Sequence, residues 1–411
     1  MIRSAVVSKI AHDACLEAPP VMPTGGAWWQ ALPTDFALRD EGFELAPWDR
    51  LRVDATAAFD VLVRTSAALS LSTLAVPPGY NPLTLSRARR DAEASERLAR
   101  AGDPYAFFRP PTGPPRVRVR PTRRGFRPAR GVVESLRFES TFEPFTERLR
   151  EPYRRHRANR YAHVRYWRHD RGPRPTIVAI HGFGAEGYDL NQWFFGLPWL
   201  YDALGVDVAL FNLPFHGRRQ TALSPFSGHG FFAGGPSRMN EAFAQAVHDF
   251  RQLVTYLRDD RGVERVGVTG ISLGGFTTAL LAATEPRLSF AIPNVPVASI
   301  PDLLLEWEPM GVIVRGLLAL YGVDMVEARR LVAVSSPLTW KPQLPRERLM
   351  VIGGVGDRLA SPKHSRLLWD HWGRCRLHWF PGSHLLHLDR GGYQLEIARF
   401  LRSVGFLDGL G

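Results

Sequence analysis

Cysteine is scarce in this sequence, which excludes one way of stabilising a fold. The chain of 411 residues contains only Cys15 and Cys375, and two cysteines cannot form a disulfide framework. The N-terminus also lacks the uninterrupted apolar segment of a secretory signal, because Lys9 and Asp13 follow its first short apolar run. Nothing demands an oxidising compartment, and we expect a cytoplasmic protein.

Long apolar runs are missing as well. A transmembrane helix is expected only where about 18 or more apolar residues follow one another, and the chain has no such run. The richest stretch, residues 51–76, is interrupted by Arg52, Asp54, Asp60 and Arg64. The sequence therefore predicts no transmembrane helix, while peripheral contact with a membrane stays open.

Lysine is almost absent, yet the chain is strongly basic. The only lysines are Lys9, Lys341 and Lys363, so arginine carries nearly all of the positive charge behind a formal net charge of +12. GC-rich codon usage would give the same bias without any function. The functional interpretation is attraction to an anionic membrane surface or an acidic partner. No nucleic-acid-binding module is recognisable, so we expect no nucleic-acid partner.

The basic charge is dense in residues 109–131, which follow the first hundred residues. The proline-rich start of this segment is typical of a solvated linker or an edge segment. A patch for anionic lipid headgroups is the alternative. Its arginines are Arg116, Arg118, Arg120, Arg123, Arg124, Arg127 and Arg130.

Residues 270–274, Gly-Ile-Ser-Leu-Gly, are the most informative stretch that the chain does contain. A strand-like run precedes them and a helix-like run follows. Gly270 and Gly274 have no Cβ, which lets a tight turn hold Ser272 between the strand and the helix. The Ser272 Oγ would then lie at a helix N-terminus, where amide groups and the helix dipole favour negative charge.

The order of strand, Gly-x-Ser-x-Gly and helix resembles the nucleophile elbow of the α/β-hydrolase superfamily. The resemblance is to a serine esterase or lipase-like branch with a long N-terminal extension, and it covers residues from about 130 to 402. It implies an α/β fold with a mostly parallel central sheet flanked by helices. It also implies a serine, an acid and a histidine in that order along the chain, with no cofactor and no metal.

The acid is identified as Asp357. It follows a predicted strand at 349–352, and the turn Gly354 to Pro362 resembles the family's Gly-x-x-Asp-x-x-x-x-Pro pattern. A catalytic base needs such an acid, because the carboxylate fixes the tautomer of the imidazole and stabilises the imidazolium.

The base is identified as His384, because a serine hydroxyl is a poor nucleophile without one. The residues Pro381-Gly382-Ser383-His384 resemble the family's Pro-Gly-x-His turn after a strand. His387 is the rival, three residues further on. A zinc pair at 384 and 387 would lack a third ligand with metal-site spacing.

An oxyanion hole needs two backbone donors aimed at the developing negative charge. The amide of Leu273, directly after the serine, is the first. The loop His181-Gly182-Phe183-Gly184 resembles the family's His-Gly-x-Gly loop and supplies the second. We assign that donor to Phe183, with Gly182 and Gly184 as alternatives, and expect His181 to orient the loop.

The chain divides into two parts. Residues 1–130 are predicted to form a largely helical N-terminal extension, which Trp28, Trp29 and Trp48 would pack onto the main body. Residues 131–411 are predicted to form the catalytic domain. Within it, the strongly apolar residues 294–337 are expected to form a helical lid, with ordinary core packing as the alternative.

Hydrophobic periodicity predicts the elements of both parts. The helices 55–75 and 87–101 are separated by Pro77-Pro78-Gly79. The predicted strands are 132–141, 161–168, 176–180, 206–211, 264–269, 288–292, 349–352 and 376–380, and further helices are 239–257 and 275–283.

The sequence thus predicts a serine hydrolase that cleaves small-molecule carboxylic esters, including lipid-like ones, through an acyl-enzyme intermediate. An acyltransferase or a peptidase could use the same residues, because the pocket selects the acceptor. A non-catalytic protein of this fold that binds a lipid or a partner is the alternative of a different class. Epoxide hydrolase and haloalkane dehalogenase chemistry are disfavoured, since those relatives carry an aspartate where Ser272 stands.

Overall fold

The structure is a computed structural model that describes residues 19–22, 26–123 and 125–410. The features that the sequence suggested at Lys9, Asp13, Cys15 and Arg124 lie outside these residues. Cys375, the cysteine within them, is free and buried.

A nine-stranded sheet lies at the centre, with the strand order β1-β2-β3-β5-β4-β6-β7-β8-β9. The first three pairings, from β1 to β5, are antiparallel, and the other five are parallel. The strands are β1 Arg118–Pro121, β2 Val132–Glu139, β3 Tyr161–Arg168, β4 Thr176–Ile180, β5 Asp207–Phe211, β6 Val266–Ile271, β7 Ala291–Asn294, β8 Met350–Gly354 and β9 Arg376–Phe380.

Helices lie before, between and after these strands. They are α1 Trp28–Ala31, α2 Pro47–Leu74, α3 Val76–Gly79, α4 Pro82–Ala101, α5 Glu147–Arg154, α6 Tyr188–Phe194, α7 His229–Phe232, α8 Gly235–Thr255, α9 Leu273–Thr284, α10 Ile300–Glu306, α11 Met310–Leu320, α12 Met325–Arg330, α13 Pro362–His371 and α14 Arg390–Ser403. The predicted α/β fold with a mostly parallel sheet is confirmed.

Alternate residues of a strand face opposite sides of the sheet. In β4, Val178 and Ile180 join one hydrophobic cluster, whereas Ile177 and Ala179 join another on the opposite side. Because both sides are covered, this strand is a continuous apolar run. The parallel strands β4, β6, β8 and β9 end at the same edge of the sheet, and the predicted site residues lie at or just beyond the ends of these strands.

The N-terminal helices pack into the same core as the sheet. Trp28 and Trp29 are buried as predicted, and the Trp28 indole Nε1 donates a hydrogen bond to Thr339 Oγ1 at 2.8 Å. The prediction for Trp48 is wrong. Its side chain lies on the solvent side of the first turn of α2, with 59% of the residue exposed.

Local signals explain where the second long helix begins and ends. Asn81 caps α4, because its side-chain oxygen accepts a hydrogen bond from the Thr84 amide at 3.0 Å. Gly102, with φ of 77°, ends the helix in the left-handed conformation. As predicted, the two long helices α2 and α4 are separated at Pro77-Pro78-Gly79. These residues lie in the short helix α3, where a first-turn proline loses no intrahelical hydrogen bond.

The basic segment contributes the edge strand of the sheet. Strand β1 pairs antiparallel with β2, and all four of its residues are exposed, including Arg118 and Arg120. Of the two interpretations of residues 109–131, this part therefore fits the edge segment. It belongs to the sheet although it lies before residue 131, where the catalytic domain was predicted to begin.

The predicted insertion contains helices α10, α11 and α12, between β7 and β8. Asp302 on α10 and Arg329 on α12 form a fully buried ion pair at 2.5 Å. Arg329 also donates to the carbonyl oxygens of Leu32 at 2.5 Å and Pro33 at 2.8 Å. The insertion is thereby fastened to the N-terminal extension.

The sequence predicted no membrane-spanning helix at residues 51–76, but helix α2 in this region meets the length and composition of one. By length and composition alone it could cross a membrane, since its most apolar 18-residue window has a mean hydropathy of 1.2. Yet one side of the helix packs into the protein, with Asp60 fully buried. Only 28% of that window is buried, so much of its apolar surface faces outward.

Candidate active site

Ser272 lies in a sharp turn between β6 and α9. Its backbone has φ of 59° and ψ of −114°, a conformation that costs a non-glycine residue about 1–3 kcal/mol. The flanking glycines leave room for this turn. A Cβ on Gly270 would lie 2.2 Å from the Gly274 carbonyl oxygen, and one on Gly274 would lie 2.1 Å from the Ile180 carbonyl oxygen.

The loops after β8 and β9 bring Asp357 and His384 together. The His384 Nδ1 lies 2.7 Å from Asp357 Oδ2, and both side chains are buried. The other oxygen, Asp357 Oδ1, accepts the amides of Leu359 at 2.9 Å and Ala360 at 2.8 Å. These bonds fix the carboxylate, so that one of its oxygens is directed at the imidazole.

Burial and charge act against each other on this pair. Burial disfavours the protonated imidazole, but the Asp357 carboxylate and its hydrogen bond raise the pKa of His384 above its ordinary value. Burial also raises the pKa of Asp357, which the nearby His384 opposes. A buried imidazole whose pKa is raised by a carboxylate partner can accept a proton and hold it.

His387, the rival base, is in a different position. Its ring centroid lies 3.9 Å from that of Phe380, and burial together with the neighbouring His384 lowers its pKa to about 3. A histidine with so low a pKa is a weak base. In the structure it is His384 that contacts the Asp357 carboxylate, while His387 packs against Phe380.

The loop at residues 181–184 lies beside the serine. A Cβ built on Gly182 would come within 3.5 Å of Ser272 Cβ. His181 is buried, with Nδ1 at 2.7 Å from the Gly182 carbonyl oxygen and Nε2 accepting the Leu213 amide at 3.1 Å. Burial lowers its pKa to about 4, so the ring is neutral and both nitrogens hold the loop.

The two predicted oxyanion donors follow neighbouring strands of the sheet. Leu273 is the first residue of α9, and the first amides of a helix have no acceptor within it. Phe183 lies in the loop after β4, which pairs directly with β6. Gly184 has φ of 66°, which suits glycine at this turn.

An apolar cavity of about 150 Å³ opens at Ser272. Three parts of the chain line it. The N-terminal extension supplies Leu71, Ala75, Val76, Tyr80 and Leu85; the insertion supplies Val297, Ile300, Leu303, Leu304, Trp307, Met310, Val314, Leu317 and Leu318; and the core supplies Phe183, Met239 and Leu273.

The family comparison agrees with this geometry. Residues 175–292, which span β4 to β7, match the family model described as the alpha/beta hydrolase fold. The sheet order, the elbow and the loops at its carboxyl edge are those that this fold requires. The chain has the α/β-hydrolase fold.

Similar proteins extend the likeness beyond the matched residues. An uncharacterized protein of Mycobacterium tuberculosis is 29% identical over 315 residues, which are 74% of this hydrolase-fold chain and 71% of the relative. The dihydrolipoyllysine-residue acetyltransferase component of the acetoin cleaving system of Cupriavidus necator is 33% identical, over 34% of this chain and 30% of its own.

Among solved structures, acetyl xylan esterase 1 from Thermoanaerobacterium sp. is similar in fold. The TM-score is 0.53 at 16% identity, over 76% of this chain and 93% of the esterase. At that identity the likeness concerns the α/β-hydrolase fold alone.

Two features of this α/β-hydrolase were missed by the sequence reasoning. Asp60 on α2 touches the loops that carry Asp357 and His384, yet in the sequence it looked only like an interruption of an apolar run. The extension also forms one wall of the cavity. The sequence did carry one signal for Asp60, because it is an acidic residue on the inner face of an amphipathic helix.

Metal ligands are not grouped in the described part of this hydrolase. Across residues 19–22, 26–123 and 125–410, no three histidine, cysteine, aspartate or glutamate side chains are close enough to hold one ion.

Proposed function

We propose that this protein is a serine hydrolase that cleaves carboxylic esters through an acyl-enzyme intermediate. The α/β-hydrolase fold, matched by a family model over residues 175–292, supports an enzyme of the hydrolase type. The observation that carries the proposal is the 2.7 Å contact between His384 and Asp357, at the same sheet edge as a strained serine that opens on a cavity.

In the proposed reaction, His384 Nε2 takes the hydroxyl proton as Ser272 Oγ attacks the ester carbonyl. The amides of Phe183 and Leu273 donate hydrogen bonds to the oxyanion of the tetrahedral intermediate. His384 then gives the proton to the leaving alcohol, and the acyl-enzyme remains. Water attacks the acyl group, again losing its proton to His384, and the carboxylic acid is released.

The cavity supports a substrate with an apolar acyl group. Nearly all of its lining residues are aliphatic or aromatic, and Ser272 Oγ is the reactive group among them. Each buried methylene contributes about 0.8 kcal/mol of binding free energy. An acyl chain would therefore be held by the extension and the insertion while its carbonyl reaches Ser272.

Two other activities are compatible with the same residues. Acyl transfer would replace water by another acceptor, and a peptidase would release an amine. Both chemistries keep the acyl-enzyme, so the acceptor distinguishes them. A protein that binds a lipid without cleaving it is the alternative of a different class, and it would not react at Ser272.

We also propose that this hydrolase binds the surface of an anionic membrane from the cytoplasmic side. The outward side of α2 carries five exposed apolar residues on one face, because their successive spacings of 3, 8, 3 and 7 residues fit the helical period: Trp48, Leu51, Phe59, Leu62 and Leu69. We call these residues the apolar stripe. Exposed apolar surface of this kind marks a contact site.

The contact of the inner side of α2 with the cavity favours a bilayer as the partner of the apolar stripe. Leu71, near the C-terminal end of that helix, lines the cavity at Ser272, so a bilayer against the apolar stripe would offer acyl chains beside it. The net charge of +12 adds attraction to anionic lipids.

Ser272→Ala tests the esterase proposal. Removing a triad nucleophile lowers kcat by about a million-fold, because the acyl-enzyme cannot form. We expect that loss with p-nitrophenyl butyrate, and we expect a fluorophosphonate probe to label the wild-type protein at Ser272.

The matched control is Ser403→Ala, which removes an exposed hydroxyl from α14 and should retain activity and labelling. A Ser272→Ala protein that keeps a tenth of the wild-type activity would contradict the mechanism. Folded wild-type protein that does not react with the probe would favour the binding protein instead.

A further inference from the structure

Asp60 is a buried carboxylate in the N-terminal extension whose partners lie at the other end of the chain. It lies near the middle of α2, and its side chain is fully buried. Its hydrogen-bond partners are separated from it by 298 to 325 residues along the sequence.

Both oxygens of Asp60 accept hydrogen bonds from the loop that carries His384. Asp60 Oδ2 accepts the His384 amide at 2.7 Å. Asp60 Oδ1 accepts the Ser383 hydroxyl at 2.9 Å and the Leu385 amide at 3.2 Å. Three consecutive residues of the loop are thus held by one carboxylate.

The same carboxylate also reaches the loop that carries the acid. Asp60 Oδ2 accepts the amide of Arg358, the residue after Asp357, at 3.1 Å. All four partners of Asp60 are donors, so both of its oxygens act as acceptors. Among side chains of this size, only an ionised carboxylate has two oxygens that accept. Asp60 therefore joins the two loops on which the Asp357–His384 contact depends.

We propose that Asp60 is a positioning residue for catalysis, which sets the place of His384 relative to Asp357 and Ser272 from outside the hydrolase core. The inference rests on the proposed serine hydrolase function. It gives the N-terminal extension a role in the reaction, besides the cavity wall.

Charge gives Asp60 a second effect that structural support alone would not have. The groups that act on the His384 imidazole are Asp357, Asp60 and, on its own loop, His387, while Arg358 contributes its amide to Asp60. The negative charges of Asp357 and Asp60 both favour the protonated imidazole. Asp60 therefore contributes, after Asp357, to the raised pKa of His384.

Asp60→Asn tests the proposal. An amide cannot accept on both sides, so its NH2 group would face two N–H or O–H donors and displace the loop. A misplacement of about 1 Å costs about 100-fold in rate, and we expect kcat to fall by about that factor at nearly constant KM. We also expect the acidic limb of kcat against pH to move to lower pH.

The matched control is Asp54→Asn, the same change at an exposed position earlier on α2. It should leave both kcat and the acidic limb unchanged. If Asp60→Asn behaves like Asp54→Asn while wild-type protein is labelled at Ser272, the inference is wrong and the proposed function stands. If wild-type protein is not labelled, the proposed function itself fails.

If the Asp60→Asn protein does not fold, Ser383→Ala tests the proposal instead. It removes one of the four donors, and loss of a single hydrogen bond of ordinary strength corresponds to a factor of about five. We expect kcat about five-fold lower with the acidic limb in place, since the charge remains. Wild-type kcat in a folded Ser383→Ala protein would overturn the inference.

Discussion

The pair of His384 and Asp357 shows how burial and charge together tune one residue. Both side chains are buried, and burial alone would keep the imidazole neutral and weakly basic. The carboxylate at 2.7 Å reverses that effect and raises the pKa of His384. His387, only three residues away but without that partner, has its pKa lowered to about 3.

The raised pKa of His384 predicts the pH dependence of activity. A general base must be neutral in the free enzyme, so kcat/KM should fall as the pH decreases through the pKa of His384. Because that pKa lies above the ordinary 6.5, the midpoint of the acidic limb should also lie above 6.5. Initial rates between pH 5 and 9 at constant ionic strength measure it.

The control for this profile is Asp357→Asn, which removes the carboxylate and keeps the size of the side chain. Loss of the acid in a comparable triad lowers kcat about 10⁴-fold, since the imidazole takes the wrong tautomer. The residual limb should shift to lower pH. A wild-type profile that is flat from pH 5 to 8 would show that His384 is not the base.

At the scale of elements, the cavity depends on helices that the hydrolase core does not contain. Leu71 and Ala75 come from the extension, and Leu317 and Leu318 come from α11 in the insertion. The buried Asp302–Arg329 ion pair holds the insertion, and Arg329 binds carbonyl oxygens of the extension. The shape of the acyl site therefore follows from how these two elements pack.

Leu318→Trp should shorten the acyl chain that the enzyme accepts. The indole would fill the cavity beside α11, and one methylene too many in an apolar pocket costs about ten-fold or more. We expect kcat/KM for p-nitrophenyl esters of eight or more carbons to fall at least about ten-fold, with the acetate ester unaffected.

Leu320→Trp is the control, because Leu320 lies two residues further on the same helix and is exposed. Its chain-length profile should match that of the wild-type protein. Equal loss across all chain lengths in Leu318→Trp would mean that this cavity does not hold the acyl group.

For the whole molecule, the apolar stripe and the exposed arginines of β1 lie on separate parts of the fold. The apolar stripe lies on α2, which packs against the loops after β8 and β9. The exposed arginines of β1 lie at the opposite edge of the sheet. The stripe and the charge can therefore be tested apart.

Replacing Leu62 and Leu69 together by glutamate should release the protein from membranes. Burial of one leucine side chain contributes about 1.5–3 kcal/mol, so loss of two should weaken binding by about 100-fold or more. Co-sedimentation with vesicles of phosphatidylcholine and phosphatidylserine measures it, and wild-type protein should bind these better than phosphatidylcholine alone.

Leu223→Glu, an exposed leucine outside the stripe, is the matched control and should bind like the wild-type protein. Unchanged vesicle binding in the Leu62→Glu, Leu69→Glu protein would contradict the membrane proposal. If that double substitution instead converts a dimer into a monomer, the stripe is a contact between two copies.

The sequence by itself determined the fold and the local form of the site. Gly270, Ser272 and Gly274 specify their turn through neighbours in the chain, and strand periodicity gave β3, β4 and β9 at their observed bounds. The contact between Asp357 and His384 was also predictable, because each residue follows a strand through a short turn of recognisable composition.

Only the tertiary structure decided what surrounds that site. Asp60 and His384 lie 324 residues apart, so no local pattern relates them, and a buried aspartate in an apolar helix has the same composition whatever it binds. The exposure of Trp48 and the cavity wall at Leu71 likewise depend on how α2 is rotated against the core. Backbone turns are set by short-range sterics, whereas the packing of distant helices is set by contacts that form only when the whole chain has folded.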